Sequence, residues 1–202
     1  MDNKWYSEAG NGISFSDVES EEHIQYIQGY TRILARQYGK LYPKSRMTAE
    51  KIEKIVRASR WHDIGKLAIP EWILRKAGRL SEEEMNLLKE HTLKGAELLN
   101  VMGQTEDEEY NRICHNICMY HHERYDGTGY PCGLKKDKIP IEAQFVFVAD
   151  VYDVLIHGMS ERPIYTKEEA YQMLMRHEFG ELSLRIQECL MNAKEEMETF
   201  CI

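Results

Sequence analysis

IEAQFVFVADVYDVLI, residues 141–156, decides what kind of fold this chain can adopt. Read as a strand, it would be the centre of a sheet, because Val and Phe favour pleated surfaces. The run is too long for that, since buried strands span roughly four to eight residues. Read as a helix, it is apolar nearly all round and belongs in the middle of a bundle. One residue breaks the pattern. Asp150 sits inside Phe145-Val-Phe-Val-Ala-Asp-Val-Tyr152, and a carboxylate there is costly unless it is paired or bound to cations.

The flanking sequence is helical too. Ile24, Ile27, Tyr30, Ile33, Leu34 and Tyr38 form one stripe from Val18 onward at three- and four-residue spacing. Thr48 is placed to cap a second helix through Ile52, Ile55, Val56 and Trp61, which runs into His62-Asp63 and stops at Gly65. Pro70 suits the first turn of a short helix ending near Gly78. Ser81 with Glu84 predicts a capping box for a longer helix through Met85, Leu88 and Leu98. Acidic residues 106–109 suit the start of a helix reaching His122. Amphipathic helices over 167–178 and 182–199 finish the chain. The expectation is an all-α, single-domain helical bundle over residues 17–202, preceded by an N-terminal extension, residues 1–16.

Composition narrows the class. The 202 residues suffice for one domain with its own core, and no stretch approaches a bilayer span. The start lacks the basic and apolar regions of a signal peptide. Five cysteines, an odd number, indicate a reduced, cytoplasmic chain with free thiols. Cys114 and Cys118 share helical spacing but have no second thiol pair, so they read as packing or as a solvent-facing row. A formal charge of −8 speaks against binding a nucleic acid polymer, and no membrane association is expected. A small anionic substrate is compatible if bound cations reverse the local sign.

The chemistry concentrates in His121-His-Glu-Arg-Tyr-Asp-Gly-Thr-Gly-Tyr-Pro131, answered upstream by His62-Asp63. Adjacent residues of a regular helix point about 100° apart, so His121 and His122 fit different ions of a cluster better than one ion. Imidazole is the commonest protein metal ligand and carboxylate the usual bridge. Polynuclear sites of this kind most often cleave phosphate esters. Glu19 and His23 share a helix face, although that spacing is common by chance. A lone histidine such as His91 is usually a satisfied core residue. His115, His157 and His177 read as surface or packing residues. Tyr120, Tyr125 and Tyr130 either stack on a base or simply pack. Arg124 reads as holding the glycine loop through a carboxylate such as Asp126 or Asp153.

Taken in order, these stretches resemble the HD-GYP family, a branch of the HD phosphohydrolases whose members hydrolyse cyclic di-GMP. The matching segments are Glu19-Ser-Glu-Glu-His23, His62-Asp-Ile-Gly-Lys66, Ile69-Pro70 with Ile73-Leu74, His91-Thr-Leu-Lys-Gly95, the 121–131 run, Ile139-Pro140, Ala149-Asp-Val-Tyr-Asp153 and Arg162-Pro163. Coverage runs from about residue 17 to 165. The resemblance implies that Asp63 bridges two metals, with His62 and Asp150 completing one side. It implies that His91, His121 and His122 bind the neighbouring ion or ions, and that Glu19 and His23 hold a third. Lys66 and Arg162 would contact phosphate, and Gly127, Gly129, Tyr130 and Pro131 would shape the loop over the cleft. The ions, two or three and divalent, would be iron or manganese, with zinc, nickel and cobalt also compatible with such donors. A water bridging two of them would attack phosphorus in line with the leaving 3′ oxygen, yielding the linear dinucleotide or GMP.

The chain departs from the family after Arg162-Pro163. Ile164 stands where a tyrosine is usual, the connection is shorter, and Lys167 is the only nearby candidate for a missing basic substrate contact. Val154 replaces a small residue after Asp153. The metal set is complete while the substrate-gripping set is thinned. That leaves two alternatives beside the cyclic-dinucleotide phosphodiesterase: an HD phosphohydrolase of another nucleotide, or a weakly catalytic cyclic-dinucleotide-binding module. Regulation is expected through a protein partner, a separate chain or the N-terminal residues.

Overall fold

A computed structural model of the chain describes residues 19–102, 105–158 and 164–202. The expected 1–16 extension, Arg162 and Pro163 lie outside the described residues. Among those described, the chain is helical and contains no strand. The elements are α1 (Glu21–Leu41), α2 (Ala49–Ser59), α3 (Glu71–Leu74), α4 (Glu82–Lys89), α5 (His91–Val101), α6 (Glu108–Tyr120), α7 (Ile141–His157), α8 (Lys167–Met175) and α9 (Leu184–Thr199). Short 3₁₀ turns span Pro43–Ser45, Ile64–Ala68 and Lys136–Lys138.

α7 is the decisive segment, and it is helical. Ala143, Phe145, Val146, Phe147, Val148, Ala149 and Tyr152 are buried on it, and it packs against α1, α6 and α8. Burying such side chains contributes roughly 1.5–3 kcal/mol each before entropy is subtracted. α1 runs beside it with Ile24, Ile27, Tyr30, Ile33 and Leu34 inward, and α2 and α9 flank α1.

Local signals set most helix starts. Thr48, Ser81, Thr166 and Ser183 each accept a backbone N–H of the following helix, with a full capping box at Ser81–Glu84. Four boundaries differ from the sequence reading. α2 ends at Ser59, ahead of His62. The Pro70 helix is one turn, Glu71–Leu74, with the proline at its cap. The long helix expected through Leu98 is two helices broken at Glu90. α6 ends at Tyr120, so neither His121 nor His122 is within it. No described helix is long and apolar enough to cross a membrane.

Candidate metal centre

Each break in the helices places a ligand-type side chain. His62 and Asp63 lie in the turn between α2 and the Ile64–Ala68 3₁₀ segment. Gly65 lets that segment lie directly on α5: a Cβ there would overlap the His91 carbonyl oxygen and the Gly95 nitrogen. Asp63 is thereby pressed against His91, the first residue of α5. His121 caps α6 and His122 follows it, their ring centroids 4.1 Å apart. Helix geometry favoured separate ions for them, and the family resemblance left one ion or several open; the structure gathers both with Asp63 and His91, ligand atoms of all four lying within 4.8 Å of one another. A second group on the same criterion is Glu19, His23 and His62.

The imidazoles are pre-oriented. His62 Nδ1 is 3.0 Å from the Ser59 carbonyl oxygen, His91 Nδ1 2.7 Å from that of Leu88, and His121 Nδ1 2.9 Å from that of Ile117. A carbonyl only accepts, so each Nδ1 carries the proton and each Nε2 presents a lone pair. Those lone pairs converge on Asp63. His91 Nε2 is 3.0 Å and His121 Nε2 3.6 Å from its Oδ1, while His62 Nε2 is 3.4 Å from its Oδ2. Acceptors thus face acceptors in a buried place, and Asp63 Oδ1 and His62 Nε2 have no hydrogen-bond partner. Left so, they would cost about 1–3 kcal/mol each. Cations between them would satisfy all of them, and the donor set, imidazole nitrogen with carboxylate oxygen, suits divalent metals. The site fits the ions expected of it.

Its electrostatics agree. Burial pushes the Asp63 carboxyl up, but the Lys66 ammonium beside it outweighs burial and holds it well below the usual carboxylate range. Burial lowers His62 and His122 well below ordinary histidine, which keeps them neutral and able to ligate. Burial also raises Asp150, and it raises Glu19 to about 7 against the pull of Lys66. His23 goes the other way: burial would lower it, yet its bond to Asp153 and the charges of Glu19 and Asp150 push it up to about 9. That negative surround is what a cation would neutralise.

The remaining sequence-derived residues divide. Asp150 belongs to neither of these groups but lies 3.7 Å from His23 Nε2 through Oδ1. Lys66 is inside the cluster, its ammonium 2.5 Å from Glu19 and 2.6 Å from Asp63, so in this arrangement it serves carboxylates rather than an open phosphate subsite. Tyr130 stacks on His122 at 4.7 Å. The Lys167 ammonium donates to the carbonyls of Glu198 and Phe200 at the end of α9. Arg124 finds no carboxylate; it donates to the Phe179 carbonyl at 2.6 Å and lies over the Phe147 ring. Cys114 and Cys118 are buried packing residues.

Three contributors escaped the sequence reading. Asp153 is buried and takes His23 Nδ1 on one oxygen (2.6 Å) and His157 Nδ1 on the other (2.7 Å). The spacing Asp153–His157, one helical turn, was the available signal. Beside them opens a cavity of about 400 Å³ lined by Glu19, Glu22, His23, Tyr26, Asp153 and His157 among others. Glu123 is also buried, and its two oxygens accept the backbone N–H groups of Cys132 and Leu134, pinning the glycine loop.

Comparison with known proteins supports this architecture. A family model described as HD domain matches residues 20–179. The cyclic di-GMP phosphodiesterase response regulator RpfG of Xanthomonas campestris pv. campestris is 31% identical over 195 residues, 96% of this chain and 49% of that protein. The 3′3′-cGAMP-specific phosphodiesterase 2 of Vibrio cholerae is 31% identical over 186 residues, 92% of this chain and 34% of that protein. The chain therefore spans half or less of these relatives' length. In structure, it is similar to the HD domain of the L. monocytogenes phosphodiesterase PgpH in complex with cyclic-di-AMP, with a TM-score of 0.52 and 13% identity over 86% of this chain and 90% of that one; the likeness concerns the fold. With the HD match spanning most of its length and the 121–131 run intact, the chain belongs to the HD domain family, in its HD-GYP branch.

Proposed function

We propose that the chain is a metal-dependent phosphodiesterase of cyclic dinucleotides, with cyclic di-GMP as substrate and the linear dinucleotide or GMP as product. One observation carries the reading: imidazoles from three separate segments aim unprotonated Nε2 atoms at the two oxygens of Asp63. The curated relatives, named for cyclic di-GMP and 3′3′-cGAMP, support the substrate class. Residues 17–202 would form the catalytic domain, in a cytoplasmic protein regulated through a partner.

Asp63, His91, His121 and His122 would hold one part of the cluster, and Glu19, His23, His62 and Asp150 the other. Iron or manganese, two or three ions, would supply Lewis acidity and a nucleophile at neutral pH. The chain's own residues do the rest. Backbone carbonyls fix the imidazole tautomers, Lys66 keeps Asp63 ionised, and the Glu123-pinned loop holds Tyr130 over His122. Every ligand position expected of an active member is filled, which weighs against the binding-module alternative.

The test is direct. Protein loaded with iron or manganese under reducing conditions should hydrolyse cyclic di-GMP, with 3′3′-cGAMP and an unrelated nucleotide as comparisons. Asp63→Ala should lower turnover by about 10³-fold or more and release metal together with it, because several kcal/mol of charge stabilisation are lost. Full turnover by that variant would show the assigned centre to be wrong. Binding without turnover by metal-loaded wild type would favour the module.

A further inference from the structure

We infer that Lys89 grips the second, uncleaved phosphodiester of a cyclic dinucleotide; the inference rests on the substrate class proposed above. Such a substrate carries two phosphodiesters across one ring, so a centre that engages one leaves the other anionic and in need of a cation nearby. The cations near the centre are mostly committed. Lys66 is paired with Glu19 and Asp63, and Arg124 is bound to the Phe179 and Glu123 carbonyls. Lys94 pairs with Glu90, and Lys167 is tied to the end of α9.

Lys89 differs. It ends α4, just before the Glu90 break that starts α5 with His91. Its side chain is half-buried, and no carboxylate lies within ion-pairing distance of it among the described residues. The ammonium sits 5.4 Å from the centroid of the Tyr130 ring. That ring in turn stacks on His122 at 4.7 Å and lies 6.3 Å from His91. The break at Glu90 therefore delivers two side chains at once: an imidazole into the cluster and an ammonium one aromatic ring away from it. A partly desolvated ammonium held over an aromatic face and lacking an anion is prepared to receive one.

The experiment compares two substrates on metal-loaded full-length protein: cyclic di-GMP and bis(p-nitrophenyl) phosphate, which carries a single phosphodiester. Lys89→Met keeps the stem and removes the charge. KM for cyclic di-GMP should rise about tenfold with kcat changed less than about twofold, while kcat/KM for the single phosphodiester and the metal content stay at wild-type values. Lys89→Arg should restore KM to within about threefold of wild type. An unchanged KM for cyclic di-GMP would overturn the inference. So would an equal loss on both substrates, which would mean that Lys89 merely supports the centre. If wild type cleaves bis(p-nitrophenyl) phosphate and no cyclic dinucleotide, the substrate class itself fails, a result distinguishable from either of these.

Discussion

Asp153 accepts an imidazole on each of its oxygens, and this is how the side of the centre nearest α1 is held in register. Because both Nδ1 atoms can donate to a carboxylate, His23 is left with its Nε2 facing Glu19 and Asp150. An asparagine could accept only one such bond, and its N–H₂ would force the other imidazole into the wrong tautomer. Asp153→Asn should therefore weaken the ion at Glu19, His23 and His62 by about 10–100-fold and leave those at Asp63, His91, His121 and His122 unchanged. Elemental analysis after graded dialysis measures this, and wild-type retention of every ion would remove Asp153 from the role. Asp150, His62-Asp63 and the 121–131 run stood out by residue type and setting, whereas Glu19, His23 and His91 entered as ligands through the family resemblance. Asp153 was seen only as part of a motif, and His157 was set aside, because a residue that acts through another has no chemical signature of its own. Lys66 was legible as a cation near the centre, but which anion it meets depended on the position of Glu19, a contact from far along the chain.

At the level of elements, the ends of the helices matter more than their middles. The glycine loop after α6 is fastened by Glu123, whose oxygens lie 2.7 Å from the Cys132 nitrogen and 2.9 Å from that of Leu134. Gly129 has no room for a side chain, since a Cβ there would crowd the Glu123 and Arg124 backbone. Glu123→Ala would leave two amides without partners, at about 1–3 kcal/mol each. For a chain of this size that corresponds to a fall in Tm of roughly 4–24 °C, and amide exchange at Cys132 and Leu134 should accelerate. Unaltered exchange there would show that the carboxylate is not the fastening. Caps and periodicity announced most helices. The break at Glu90 and the early end of α6 were not announced, because the apolar pattern continues through both and the chain turns there for tertiary reasons, at the Gly65–α5 contact and at the centre itself.

Across the whole molecule, the centre ties α1, the turn after α2, α5, the end of α6 and α7 into one knot, so bound ions should act as staples. At 100-fold over its dissociation constant, one ion adds about 2.7 kcal/mol, or roughly 5–10 °C in Tm. The gain should depend on pH. In stripped protein His23 is raised from 6.5 to about 9, so its ion pairs contribute in full below pH 6.5 and are lost as the pH rises through about 9. Ion binding needs that nitrogen deprotonated and becomes more favourable over the same window. The rise in Tm on adding manganese should therefore grow from pH 6.5 to 9, and calorimetry showing a flat or falling gain would contradict the placement of His23 beside an ion. By itself the sequence determined the helical class and most caps, because these follow from periodicity and local hydrogen bonding, and it marked candidate ligands that the family resemblance joined into one set. Only the tertiary structure decided that His121 and His122 share one group, that Lys167 meets the end of α9 and that Lys89 meets Tyr130. Those are distances between segments remote in the chain, set by how the buried faces of α1, α5, α6 and α7 pack, and no local pattern encodes them.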